Sequence, residues 1–133
     1  MSEFKLKIIH PKGVYFEGPV EITNVRTTEG QMGILANMLP FAGVLDIAEM
    51  NFVQKGERQF YFVSGGFIYV KKEEVTMITD AIESVEEIDL NRAKRAKERA
   101  EKRLASKNAN IDVMRAELAL KRAITRIGIK SNR

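Results

Sequence analysis

The chain has 133 residues, 44% of them hydrophobic, and a formal net charge of +4, which fits one small globular domain or a small domain with an appendage. It has no Cys and a single His, His10. This excludes disulfides and thiolate metal sites and argues against a structural zinc site. No run approaches the about 18 apolar residues of a membrane span, and "MSEFKLKIIHPKG" lacks a signal-peptide apolar core, so a cytosolic or peripheral protein is expected.

The net charge hides a division. Residues 1–87 carry 8 Lys and Arg against 13 Asp and Glu, a net of −5, whereas residues 88–133 carry 14 against 5, a net of +9. Such asymmetry points to two modules with different partners.

The first module reads as β-structure. "FKLKIIH" alternates Phe4, Leu6 and Ile8 with Lys5 and Lys7, the period of a half-buried strand. "HPKG" is turn chemistry, with His10 at the surface. In "VYFEGPVEITNVRTTEGQMGIL", short β-branched and aromatic runs are expected to be cut at Gly18–Pro19, Gly30 and Gly33. In "RQFYFVSGGFIYVKKEEVTMIT", two apolar runs flank Gly65 and Gly66, which are expected to form a strand connection needing positive φ. Many short strands with frequent turns predict a sandwich or barrel of about 80 residues, able to fold alone. Phe41, Phe52, Phe60, Phe62 and Phe67 read as its core or rim. Met32 and Met38, beside Leu35 and Leu39, read equally as an exposed patch or as buried loop residues.

After residue 84 the pattern becomes helical, with no Gly or Pro before Gly128. Ser84 and Glu87 have the spacing of a capping box, and Asp89 is a candidate N-cap. Residues 90–105 are strong helix formers, "SKNAN" at 106–110 breaks the helix and offers Asn caps, and "IDVMRAELALKRAITRI" predicts a second helix stopping near Gly128. Two helices with a short link make an αα-hairpin. The predicted fold is thus α+β, with a β-sandwich over 1–84 and an antiparallel two-helix hairpin over 85–133.

At about 100° per residue, Arg92, Arg99 and Arg103 share one ridge of the first helix, and Ala93, Ala96, Ala100 and Leu104 form the adjoining stripe. On the second helix Ile111, Met114 and Leu118 form one apolar face, and Val113, Ala116, Leu120, Ile124 and Ile127 form another. Arg115, Arg122 and Arg126 form a ridge beside the first of these. Closing the hairpin near residue 108 places Arg92 between Arg122 and Arg126, with Arg99 about two turns, or 10 Å, further along. Glu83 and Asp89 enter the same region. A polyphosphate would satisfy such converging guanidinium groups by bidentate hydrogen bonds, but from pattern alone a charge run reads as a solvated face. A basic hairpin also fits a small nucleic-acid-binding protein. Against that, acidic residues are interleaved and no aromatic side chain is present in 88–133. Asp80 and Glu83 lie near each other in sequence, but without a nucleophile, His or metal ligand set they do not make an enzymatic site.

"TTEGQMGIL", "FVSGGFIYV" and "VTMITDAIESVEEIDLNRA", in this order, closely resemble the epsilon-subunit family of bacterial F-type ATP synthases, and the resemblance covers essentially the whole chain. It implies a β-sandwich at the foot of the rotating central stalk, against the gamma subunit and the ring of c subunits. It implies a non-catalytic subunit that helps couple proton flow to ATP synthesis, held peripherally at the cytoplasmic face of the cell membrane through the complex. It further implies a hairpin that either lies folded or extends beside gamma into the alpha/beta catalytic head, where it inhibits ATP hydrolysis. The folded hairpin of several members binds ATP as a regulatory ligand. Residue by residue, that site maps to Glu83, Ile88, Asp89, Arg92, Ala93, Arg99, Arg122 and Arg126, which turns the arginine ridge into a nucleotide site. No catalytic cofactor, metal or nucleic-acid partner is expected, and no "GxxxxGK" is present. The loop after "GIL" reads Ala36, Asn37, Met38, Leu39, Pro40 where the family commonly has Pro-Gly-His before a second Pro, so its contacts with the ring do not transfer.

Overall fold

The computed structural model describes residues 2–106 and 111–133. The chain divides into two compact units, Met1–Ser84 and Val85–Arg133.

The first unit is a β-sandwich. Its strands are β1 (Phe4–His10), β2 (Gly13–Val20), β3 (Ile22–Thr27), β4 (Gly30–Ile34), β5 (Phe41–Gln54), β6 (Glu57–Val70), β7 (Glu74–Ile78) and β8 (Ile82–Ser84). They follow the order β2-β1-β7-β6-β5-β3-β4, with β8 pairing the first half of β6. Every contact between neighbours is antiparallel except β1 with β7. The β5–β6 hairpin closes on Lys55 and Gly56, both at positive φ (52° and 78°), the geometry that matches a tight turn to the twist of its strands.

β5 and β6 are both 14 residues long and bend together. Along β6 the core positions are Tyr61 and Val63, then Ile68 and Val70. The odd step between Val63 and Ile68 means that the strand changes face. Gly65 and Gly66 make the change, at φ 74° and 122°. A Cβ on Gly66 would lie 2.0 Å from the Ile78 carbonyl oxygen, so no other residue fits. Buried Thr79 secures the bend, its hydroxyl donating to the Gly65 carbonyl at 2.6 Å. The glycine pair therefore does not connect two strands, as the sequence led us to expect; it folds one long strand over the core.

The expected break at Gly30 is present: at φ 125° it opens β4 directly after the turn that ends β3 at Thr27. The other two are absent, since Gly18 and Pro19 lie inside β2 and Gly33 lies inside β4. β2 ends the strand order, and an edge strand tolerates a proline because one side of it needs no N–H. At Gly33 a Cβ would lie 3.2 Å from Asn24 Oδ1, so the glycine serves a close cross-strand approach.

The core is large and aromatic at one end. Phe52 is fully buried, stacked on Tyr61 at 5.1 Å and tilted against Phe16 at 4.7 Å. Phe62 is also fully buried, Phe41 and Phe60 are half-buried, and Phe67 is exposed. The methionine loop splits: Met32 and Met38 pack against the core, whereas Leu35 and Leu39 are exposed, Leu39 by 87%.

The second unit holds α1 (Leu90–Ala105) and α2 (Val113–Asn132). Asp89 caps α1, its side chain accepting from Arg92 N at 3.0 Å. Ser84 belongs to β8, so the box expected with Glu87 does not start the helix. The Asn caps expected in 106–110 lie outside the described residues; the N-cap of α2 is Asp112, accepting from Arg115 N at 3.1 Å. α2 does not stop at Gly128 but runs to Asn132. A helical glycine costs about 1 kcal/mol relative to Ala. Beyond it, Ile129 is buried and Lys130 Nζ donates to the Val85 carbonyl at 2.8 Å, which holds the last turn.

Candidate functional site

The helical unit is built on small side chains. Ala93 and Ala100 are the buried residues of α1; Ala116, Ala123 and Ile129 are those of α2. Alanines let two helix backbones approach closely, at the short end of the about 8–10 Å seen for packed helices. The Lys130–Val85 bond sets the end of α2 beside the segment that enters α1, so the pair is antiparallel.

That seam fixes where the arginines lie. At about 100° per residue, Arg92, Arg99 and Arg103 sit about 90° to one side of Ala93 and Ala100. On α2, Arg115, Arg122 and Arg126 sit about 100° to the same-handed side of Ala116 and Ala123. In an antiparallel pair these same-sense offsets bring both ridges to one face of the hairpin. Arg92, Arg99, Arg103 and Arg115 are exposed, and Arg122 and Arg126 are half-buried. Arg95 lies about 60° off the α1 ridge.

Of the eight residues expected in a nucleotide site, seven share this unit. Ile88 is buried, its N–H bonded to the Val85 carbonyl, and Asp89 is committed to the cap. Arg92 and Arg99 stand on one helix, Arg122 and Arg126 on the other, and Ala93 is part of the seam between them. Glu83 is different: it lies in β8, in the sandwich unit, paired with Phe62.

The sandwich offers little chemistry. A groove of about 780 Å³ is lined by Phe4, Pro19, Asn37 and Lys72 with Lys5 and Glu17. Its charged residues include an ion pair at 2.7 Å, Lys5 to Glu17. The bond to Glu17 raises the Lys5 pKa and the bond to Lys5 lowers that of Glu17, the behaviour of a salt bridge and not of an acid–base pair. Asp80 is exposed and Glu83 half-buried. Among the described residues no group of His, Cys, Asp and Glu is placed to hold a metal, and no helix is long and apolar enough to cross a membrane.

The sequence reading missed an apolar row on the sheet's outer face. Val44, Phe67 and Ile78 are direct cross-strand partners on β5, β6 and β7, and the row continues through Ile9 on β1 to Val14 on β2. Val44, Phe67, Ile78 and Val14 are all exposed, Phe67 by 51%. Only strand register aligns them, and no spacing along the chain announces it.

Comparison with known proteins accounts for both units. The family described as "ATP synthase, Delta/Epsilon chain, beta-sandwich domain" matches residues 3–85, and "ATP synthase, Delta/Epsilon chain, long alpha-helix domain" matches residues 86–130. The chain is 47% identical to an ATP synthase epsilon chain of Clostridium novyi over 125 residues, covering 93% of this chain and 95% of the relative. It is 39% identical to that of Shouchella clausii over 133 residues, covering 100% and 98%. A chain in the cryo-EM structure of the Euglena gracilis mitochondrial ATP synthase OSCP/F1/c-ring superimposes with a TM-score of 0.83 at 25% identity, over 94% of this chain and 79% of that one. One in the central stalk and c-ring of the Tetrahymena thermophila enzyme has a TM-score of 0.62 at 13% identity, over 98% and 96%, and shares the fold. With sandwich and helices matched in the same order along one chain, the protein belongs to the ATP synthase delta/epsilon family.

Proposed function

We propose that this non-catalytic stalk subunit couples proton translocation to ATP synthesis and restrains ATP hydrolysis through its hairpin, with ATP as the ligand that holds the hairpin folded. The observation that carries the regulatory part is the joining of two arginine ridges on one face of an alanine-seamed helix pair. Arg92, Arg99, Arg122 and Arg126 would hold the phosphates by charge-assisted bonds. Asp89 and Glu83 would contact the adenosine or orient arginines, and backbone atoms at Ile88 and Ala93 would help admit the base. Arginines in place of a phosphate-binding loop suit binding without hydrolysis.

The apolar row from Val44 to Val14 fits docking of the sandwich on the gamma subunit, since exposed apolar stretches of this kind mark contact surfaces. The sandwich would also meet the c ring, and the extended hairpin the alpha/beta head. The subunit would then sit peripherally on the cytoplasmic face of the membrane, held there by the complex.

Ligand at a hundredfold over its dissociation constant adds about 2.7 kcal/mol to the state that binds it, enough to reverse a folded-versus-extended balance of a few kcal/mol. Isothermal titration of the full chain with ATP tests the reading. Arg92→Ala and Arg126→Ala should each weaken binding by roughly tenfold or more, the loss of a charged partner, and Arg95→Ala should weaken it less. Unchanged affinity in both variants would reduce the ridge to a solvated face. In reassembled enzyme, deletion of 88–133 should raise ATP hydrolysis; equal rates would remove the inhibitory role.

A further inference from the structure

The cationic face is longer than a nucleotide needs. From Arg92 to Arg103 the α1 ridge runs about 16 Å, eleven residues at 1.5 Å each. The four arginines assigned to ATP leave its tip end, Arg103 with Arg115, without a role. Closing the hairpin on the Lys130–Val85 bond sets Arg115 at the level between Arg99 and Arg103 on the same face. Both Arg103 and Arg115 are exposed.

Charge is sorted by face and by residue type. Relative to the alanine seam, Arg92, Arg99, Arg103, Arg115, Arg122 and Arg126 all lie on one side, at offsets of about 70–120°. The acidic residues inside the helices, Glu98, Glu101 and Glu117, lie on the other side, at about 90–150° in the opposite sense. Lys94 and Lys121 lie with them. A solvated face would mix the signs along its i,i+4 rows. Here the six arginines of one face present planar forks that match phosphate oxygens two at a time, while Lys94 and Lys121 lie with the carboxylates and Lys130 is taken up by the Val85 carbonyl.

We propose that Arg103 and Arg115 form, with Arg99, a second phosphate subsite at the tip of this face, so that the hairpin binds linear phosphate chains longer than a triphosphate. An unsubstituted polyphosphate carries a charge on every phosphorus and no bulky group, and it fits a shallow strip between two helices. Single-stranded nucleic acid would need aromatic side chains on which to stack its bases, and residues 88–133 have none. The subsite extends the nucleotide reading along the same face and rests on it only at the base end.

The test uses the full-length chain, titrated with tripolyphosphate, a medium-chain inorganic polyphosphate, ATP and a single-stranded oligonucleotide. The parent should bind the medium chain at least roughly tenfold tighter than tripolyphosphate, the gain of further charge-assisted bonds. Arg103→Gln with Arg115→Gln should abolish that advantage and leave tripolyphosphate and ATP affinity in place. Lys94→Gln with Lys102→Gln removes the same charge away from the face and should keep the advantage. Equal affinity for both chain lengths, an advantage surviving in the arginine variant, or equal loss in the lysine variant would each overturn the subsite. Tighter, tip-dependent binding of the oligonucleotide would overturn the choice of ligand. If ATP does not bind but the tip-dependent advantage stands, the nucleotide reading fails and the subsite remains.

Discussion

In the sandwich unit the fully buried side chains are large: Phe52, Phe62, Leu6, Ile8, Met50 and Ile68 among them. In the helical unit they are chiefly Ala93, Ala100, Ala116 and Ala123, with Ile88 and Ile129. Burying a large aliphatic or aromatic side chain contributes about 1.5–3 kcal/mol, whereas a methyl group contributes under about 1 kcal/mol. The sandwich should therefore be stable by itself, on long-range strand pairing. The hairpin is a marginal structure of 16- and 20-residue helices, near the length at which isolated helices begin to persist in water. A ligand contributing a few kcal/mol would hardly move the first unit and would decide the state of the second.

The comparison breaks if the sandwich depends on the hairpin. Residues 1–84 alone should show the dispersed amide NMR spectrum of a folded β-protein; unfolded-chain dispersion would end the two-unit view. Within the sandwich, the largest single effect should come from Gly66→Ala. Its Cβ would sit 2.0 Å from the Ile78 carbonyl oxygen and 2.8 Å from Thr79 Cα, at φ +122°. Backbone strain and overpacking together should cost about 4 kcal/mol or more, lowering the urea midpoint of the β-signal. A variant within about 1 kcal/mol of the parent would show that the bend is not built as described.

The same contrast governs what could be read from sequence. Alternation in "FKLKIIH" and the Gly-free run after residue 84 gave the strands and helices, because both depend on near neighbours. The Asp89 cap and the arginine phases followed from spacing alone. The positive φ of Gly65 and Gly66 is legible in the sequence but their job is not, since what excludes a side chain at Gly66 is Ile78, on another strand. Pro19 has the local signature of a break, and its edge position depends on the whole strand order. Gly128 has the local signature of a stop, and the Lys130 contact with Val85 that carries the helix past it spans 45 residues. Seven of the eight expected site residues fall in the helical unit, where periodicity governs. Glu83 belongs to the sandwich unit, beyond the reach of a helical repeat.

In the hairpin, effects should be smaller for the fold and larger for the ligand. Ala100→Leu inserts a bulky side chain at a position only 2% exposed. Overpacking should cost about 1–3 kcal/mol and part the two ridges. ATP affinity should fall by roughly tenfold or more, as 1.4 kcal/mol per decade requires, with the sandwich transition unmoved. A parent-like affinity would show that the alanine seam does not set the site. Asp89→Ala should cost about 1 kcal/mol through loss of the cap to Arg92 N, visible as a lower helical melting midpoint.

The smallest effect should come from the Lys5–Glu17 bridge, joining β1 to β2 at 2.7 Å. Its bond to Lys5 holds the Glu17 carboxyl below the usual Glu range, so its contribution is present above that range and lost as pH falls through the lowered value. Its bond to Glu17 raises Lys5 above 10.5, so that contribution is present below 10.5 and lost as pH rises through the raised value. Both therefore hold at neutral pH. The side chains are 50% and 39% exposed, and an exposed pair is screened by water and salt and contributes little. Glu17→Gln should thus leave the unfolding midpoint almost unchanged at pH 7, and the difference from the parent should vanish below the lowered Glu17 pKa. A large loss at pH 7 that persists in high salt would mean that the pair carries a share of sandwich stability that its exposure does not permit.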